Sequence, residues 1–552
     1  MRSKWMLVMA LALSLPSFAF AAIIVLSTSV LAQEHSMPMP AAAVPLDSGL
    51  GDLHFAVTTK NADAQRYFDQ GMRYVYAFNH EAAVASFKHA VELDPDLALG
   101  YWGQALALGP NINMDVDPQR EAQAYDLEKS ALAHLTTASP KERDFINVLA
   151  KRYSNEPGVD LKKLAVDYSN GMRELHAKYL DDPDIGALFA ESLMDLHPWH
   201  LWSHEGKPLE GTEELVSVLE SVLKAHPDHM GANHYYIHAI EGSPHPERAL
   251  ASAKLLTTLA PSAGHLVHMP AHIYQRTGNY NGAADANAAG ARADRDFMKV
   301  HGADNIYSMM YYNHNLDFGA TSYAMAGQFE KAKEFADEES ANAAKIVKDM
   351  PPIDPFTTAS LKVLLRFGRW NDILNVPDPA VGPYSSAFRH FARGVAFARL
   401  GRLDEARTEQ KELDAAGPKL TEETGFMQNS PKTLGSIASI VLEGQIAEAS
   451  GNRSAAIAAY RKAVAAEDEL SYDEPADWFY PTRETLGAAL LRKKDYAGAE
   501  KVFRADLERN PNNPRSLFGL AKALKAQKKP SAKTEMAFKK NWRGGTLRVE
   551  DL

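Results

Sequence analysis

Apolar residues along this chain recur at helical spacing from about residue 61 to the end, and no stretch alternates with the period of two that marks a strand. The pattern also repeats. With residue 64 as position 1, Tyr67, Gly71, Tyr74, Ala83, Phe87, Ala90 and Pro95 fall on positions 4, 8, 11, 20, 24, 27 and 32. Leu486, Gly487, Leu490, Ala499, Phe503 and Pro511 fit the same frame. So do Gly444, Gly451, Ala456, Tyr460 and Ala463, then Gly394, Phe397, Gly401 and Ala406, and a weaker copy at Ala320, Tyr323, Gly327 and Ala332. Small residues at positions 8 and 20 let two helices of a hairpin approach. Large residues at 4, 11 and 24 fill the space between them, and proline at 32 ends the second helix. A hairpin of this kind buries its apolar face only by stacking on its neighbours, so the pattern predicts an all-α solenoid.

The frame is irregular between about 110 and 230, although helical patterns persist at Lys141–Tyr153, Leu161–Leu180 and Asp184–Leu196. Pro351, Pro352, Pro355, Pro377, Pro379 and Pro383 flank one short hairpin and suggest a joint. The expected organisation is an N-terminal part over 61–350 and a C-terminal part over 351–552. The first 32 residues differ from both. Arg2 and Lys4 precede an apolar stretch with small-residue cleavage patterns at Ala19-Phe20-Ala21 and Val30-Leu31-Ala32, which reads as a secretory signal peptide. The competing reading is an uncleaved anchor; Ser14, Pro16, Ser17 and Ser27–Ser29 interrupt it. Residues 33–60, polar and with prolines at 38, 40 and 45, read as a linker. The expected location is periplasmic or secreted, with no membrane contact after cleavage.

The repeat resembles the tetratricopeptide family over most of residues 61–552, and the chain is similar to exported bacterial proteins of that kind with no assigned activity. The resemblance implies a right-handed superhelix. It also implies that first-helix positions 2, 5, 9 and 12 look into a concave groove that commonly receives a peptide or protein partner.

Composition narrows the chemistry. Apolar residues make up 45% and charged residues 23%, as in a folded protein, and the net charge of −11 with no basic run argues against nucleic acid. There is no cysteine. An exported chain of this composition has no disulfide and no thiolate, so any metal must be held by His, Asp, Glu or Met.

Histidine is where the sequence becomes specific. Thirteen of the twenty histidines lie between His197 and His314, where even scatter would place about four. Pro227 and Pro261 lie 34 residues apart, one repeat length, and each sets a repeat that begins three residues later. In that register His234 and His268 both take position 5, His238 and His272 both take position 9, Glu241 takes position 12 and His265 position 2. With Gly327 at position 15 of a later repeat, His314 also takes position 2. Residues four apart share a helix face, and packed helices lie about 8–10 Å apart, so these side chains can converge on one ion or two. Imidazole with one carboxylate suits a transition metal such as Cu, Zn or Fe, with Ni and Mn also compatible. Asn233, Tyr235, Tyr236, Tyr311 and Asn315 are candidate hydrogen-bond partners of the ligands.

The expected function is therefore a metalloprotein with His234, His238, His268, His272, His265, His314 and Glu241 as ligands or their partners. If it is an enzyme, an oxidoreductase or a hydrolase, Glu241 or Tyr236 would carry proton transfer. The alternatives are a scaffold that binds a peptide or protein in the groove without metal, a groove that binds an acidic peptide or organic anion through protonated histidines, and a metal carrier. Weaker signals are the His197–His204 loop, where His200 or His204 would add a ligand and the two tryptophans would tuck the loop in, and Glu191 with Asp195, which read as solvated or ion-paired. The acidic aromatic run Tyr472–Pro481 reads as an inter-repeat loop or the rim of a partner site.

Overall fold

Four of the hairpin turns in this protein follow one local rule. A residue in the left-handed region ends the first helix, and an Asn or Asp directly after it caps the second. Gly278 (φ 77°) precedes Asn279, whose side chain accepts from Gly282 N; Gly451 (φ 81°) precedes Asn452, which accepts from Ala455 N. Lys494 and Asp495 repeat the arrangement, as do Phe78 and Asn79. Glycine is favoured at the first place because a β-carbon there is strained, and Asn or Asp at the second because its side chain satisfies an orphan helix N–H.

The computed structural model describes residues 44–115, 117–377, 382–423 and 427–552. The expected signal peptide and residues 33–43 of the expected linker lie outside them. Leu46–Leu552 is one compact unit. Among the described residues there are 25 α-helices, linked by turns, by longer loops such as 195–211 and 469–481, and by four 3₁₀ segments, and no strand beyond two isolated bridges. The architecture is an all-α tetratricopeptide-like solenoid, with successive helices packed as hairpins. None of the described helices is long and apolar enough to cross a membrane.

The repeat positions do the packing the sequence pattern assigns to them. Phe87 is fully buried between Gly71 and Gly103, where an added β-carbon would come within 2.4 and 2.7 Å of its ring. Phe503 sits the same way between Gly487 and Gly519, at 2.4 and 2.2 Å. One aromatic ring thus locks the first helix of its own hairpin to the first helix of the next. Leu50 and Phe55 join the same core as the first hairpin.

Candidate metal centre

Three successive first helices carry the predicted histidines: Met230–Glu241, the pair Gly264–His268 and Pro270–Arg276, and Ile306–Met325. Pro270 has no N–H to give, and the chain tightens there, with His272 N donating to Met269 O at 3.2 Å. The tightening leaves His268 and His272 on one face. All six histidines and Glu241 come together, as two adjacent triads. His234, His238 and His265 form the first and His268, His272 and His314 the second; in each, the ligand atoms lie within 4.8 Å of one another. The His238 and His272 rings, one from each triad, are 5.7 Å apart.

The tautomers are fixed by what lies behind the rings. His234 Nδ1 lies 2.7 Å from Tyr76 O, a carbonyl that can only accept. His238 Nδ1 donates to Glu241 Oε1 at 2.8 Å, and His272 Nδ1 to Glu241 Oε2 at 2.5 Å. His268 Nδ1 donates to Asn287 Oδ1 at 2.9 Å, with the amide oriented by Asn287 Nδ2 donating to Ala283 O. Four Nδ1 atoms therefore carry protons, and four Nε2 lone pairs point inward. The Nε2 atoms of His234 and His238 are 3.1 Å apart, as are those of His268 and His272, and His265 Nε2 is 3.1 Å from His234 Nε2. An ion about 2.0–2.1 Å from two imidazole nitrogens holds them about 3.0–3.4 Å apart, so the donor set and its spacing fit such an ion.

Electrostatics keeps most of these rings neutral. Burial, with His238 next to it, holds His234 well below the usual imidazole range; burial and His234 do the same to His265, and burial and His272 to His268. Burial also lowers His238 against the opposing bond to Glu241, and burial and His272 bring His314 down to about 3. His272 is the exception. Burial pulls it down, but the charge and hydrogen bond of Glu241 outweigh burial and raise it. Burial alone would raise Glu241. His272 and the bond from His238 overcome that and hold the carboxyl at about 2, so Glu241 is an anion whose two oxygens orient one ring of each triad.

The resemblance implies a concave groove; all of these side chains but the half-buried His314 are instead shut in. His234, His268 and His272 are at most 1% exposed, and His265, His238 and Glu241 at most 4%. Three segments distant in sequence cover them. The Phe78 ring lies 4.5 Å from the ring of His234 and 5.5 Å from that of His265. Trp199, from the His197–His204 loop, lies edge-on 6.0 Å from the ring of His238, while Trp202 Nε1 donates to Ala239 O at 2.8 Å. The acidic aromatic run folds in from the C-terminal part, with Arg276 stacked on Tyr472 at 5.3 Å. In front of the triads is a cavity of about 1180 Å³ that His238, His265, His272 and His314 share with Glu474, Asp473 and Tyr311. Burial and the nearby Glu241 raise Glu474 to about 7.

Other predicted residues are elsewhere. Tyr236 is not brought to the triads; its hydroxyl donates to Glu220 at 2.6 Å. His200 and His204 are exposed. Glu191 and Asp195 are not on a solvated face but buried, with Asp195 paired to Arg152 at 3.0 Å and burial raising Glu191 to about 8. Asn315 binds Asp294 at 3.0 Å, one layer behind the rings. Spacing alone does not point to Phe78, Asn287 or Glu474. The only cue to Glu474 is an acid set among aromatics that a solvated loop would not need.

Comparison with known proteins bears on the scaffold. A model of the tetratricopeptide repeat matches residues 64–97. No curated protein matches the chain. Among solved structures, the human IFIT1 dimer with PPP-AAAA is 13% identical over 87% of this chain and 91% of its own, with a TM-score of 0.32. Yeast Tom70 is 13% identical over 85% and 89%, with a TM-score of 0.29. The APC/C hetero-tetramer Cut9–Hcn1 is 12% identical over 87% and 76%, with a TM-score of 0.30. Likenesses of this size bear on neither activity nor ligand.

Proposed function

We propose that this chain, a tetratricopeptide-repeat protein, is an exported metalloprotein that holds transition-metal ions, copper, zinc or iron, in two adjacent histidine triads on the wall of a ligand-sized cavity. The observation that carries the reading is the pair of inward-facing Nε2 contacts. With both Nδ1 protons committed outward, two lone pairs face each other at 3.1 Å in each triad. That arrangement is repulsive unless a metal ion or a shared proton lies between them, and a protein that fixes four such tautomers from behind is arranged as metal sites are.

A bound transition metal would supply either Lewis-acid activation of water or an electron-transfer couple. The chain's own groups have separate tasks around it. Tyr76 O, Glu241 and Asn287 keep the Nδ1 protons in place, so that the lone pairs stay aimed inward. Glu241 places one negative charge between the triads. Phe78 and Trp199 keep water from the first triad. Glu474, on the cavity wall beside His272, is placed to accept or give a proton near neutral pH. At the mouth, Leu161 and Val166 are 49% and 44% exposed on a helix that borders the cavity, which supports a ligand with an apolar part.

The test is elemental analysis of the untagged protein, before and after mild chelation. About two equivalents of transition metal are expected, one lost in the His234→Ala, His238→Ala double variant and the other in His268→Ala, His272→Ala. No metal after reconstitution at neutral pH would sink the reading and leave a scaffold whose cavity takes a peptide.

A further inference from the structure

A second cavity, about 550 Å³, lies in the C-terminal part and is lined by Arg366, Arg399, Arg492, Arg515 and Arg548, and by the acids that pair with three of them. The first three are the last residues of their helices, Ala359–Arg366, Pro383–Arg399 and Thr482–Arg492, where the helix dipole favours a cation. The fourth stands near the start of Pro514–Ala526. Three of the five are neutralised, Arg548 by Asp551 at 2.8 Å. Arg492 makes a two-pronged pair with Glu448 at 2.6 and 2.9 Å, and Arg366 pairs with Glu484.

Arg399 and Arg515 have no carboxylate in ion-pair reach among the described residues. Their partners are main-chain carbonyls: Arg399 donates to Glu550 O, and Arg515 to Asp551 O and to Arg366 O. Arg515 is 3% exposed, and its Nε has no hydrogen-bond partner. Arg366 Nε, also buried on this wall, has none. A buried guanidinium with an idle donor and no carboxylate bonded to it is costly, even with Glu484 and Asp551 nearby, and the planar fork of arginine matches phosphate and carboxylate oxygens. The acceptors in place are the carbonyls of Val549, Glu550 and Asp551, each taking one arginine, with Arg492 Nη1 to Val549 O at 3.1 Å. This strap sets neutral oxygens where charged ones would bind better.

We infer that the arginine-lined cavity binds a small multivalent oxyanion, a phosphate or a polycarboxylate, which competes with the 549–552 strap for Arg399 and Arg515. Such a site is independent of the histidine triads, which lie in a different cavity.

The full chain would be titrated by calorimetry with inorganic phosphate and separately with citrate, against chloride at matched ionic strength, with hydrogen exchange of residues 546–552 followed in parallel. Saturable binding of one of the two probes is expected, with faster exchange in the strap. Arg399→Gln, a change at a half-buried position, should weaken binding about tenfold or more, as the loss of a charged hydrogen bond does. The His234→Ala, His238→Ala variant should bind the anion as the parent does. Phosphate binding alone assigns a phosphoryl ligand, and citrate binding alone a carboxylate one. Absence of saturable binding by both probes, or equal binding in Arg399→Gln, would overturn the proposal.

Discussion

Phe78 sets its ring edge-on 4.5 Å from that of His234 while its own backbone sits at a φ of 55°. Gly278, Gly327, Gly401 and Gly451 take the equivalent left-handed turn in other hairpins. A side chain at such a place costs about 1–2 kcal/mol. An aromatic ring is kept there against the local preference, and what it touches is the first triad. Phe78→Gly should relieve the turn yet lose more by emptying a site that is 2% exposed. A net destabilisation of about 2–3 kcal/mol in urea unfolding is expected from the two opposing effects. The same variant should retain metal in the second triad and lose it from the first. Undiminished affinity at both would show that the ring does not shield the site.

Glu241 accepts from an Nδ1 of each triad, so one substitution should reach both. Glu241→Gln offers a single acceptor oxygen and no charge. Metal affinity should fall about 10–100-fold at each triad. Asn287→Leu, which removes the acceptor behind His268 alone, should weaken only the second. Competition titrations against a chromophoric chelator distinguish the two patterns.

Gly231 stands where an added β-carbon would come within 2.3 Å of the Tyr76 ring. Tyr76 O holds His234, and the Tyr76 hydroxyl donates to Asp184 at 2.8 Å. Gly231→Ala should therefore cost about 1–3 kcal/mol by overpacking and disturb the first triad more than the second. Thermal unfolding with and without metal checks this. Equal metal-induced stabilisation of variant and parent would count against it.

Glu128 is 2% exposed, and neither carboxylate oxygen has a hydrogen-bond partner. Burial raises it to about 8 from an ordinary 4.5. Between those values the folded chain binds a proton that the unfolded chain has released. Its contribution to stability is thus full below about pH 4.5 and is lost as pH rises towards 8. Glu128→Leu should stabilise the protein on the order of 2 kcal/mol at pH 8 and much less at pH 5. A gain that does not change between those pH values would contradict the assignment.

Much of this protein is legible along the chain. The hairpins follow from small residues at positions 8 and 20 and large ones at 4, 11 and 24, because close helix approach needs both, and Phe87 and Phe503 pack against glycines as that rule requires. The convergence of His234, His238, His265, His268, His272 and His314 was legible too, since a fixed repeat length carries equal positions to neighbouring helices.

Only the tertiary structure decided how those histidines divide and what encloses them. Their partition into two triads depends on which Nε2 atoms meet, and that depends on Tyr76 O, Asn287 and the oxygens of Glu241 behind the rings. A carbonyl leaves no mark in a sequence pattern. Phe78, Trp199 and Glu474 reach the site from segments as much as 396 residues apart, and periodicity speaks only for neighbours along the chain. The repeat spacing places ligands on adjacent helices because that is a local matter of pitch. Burial, charge and tautomer are set by what folds over them, and this requires the whole chain.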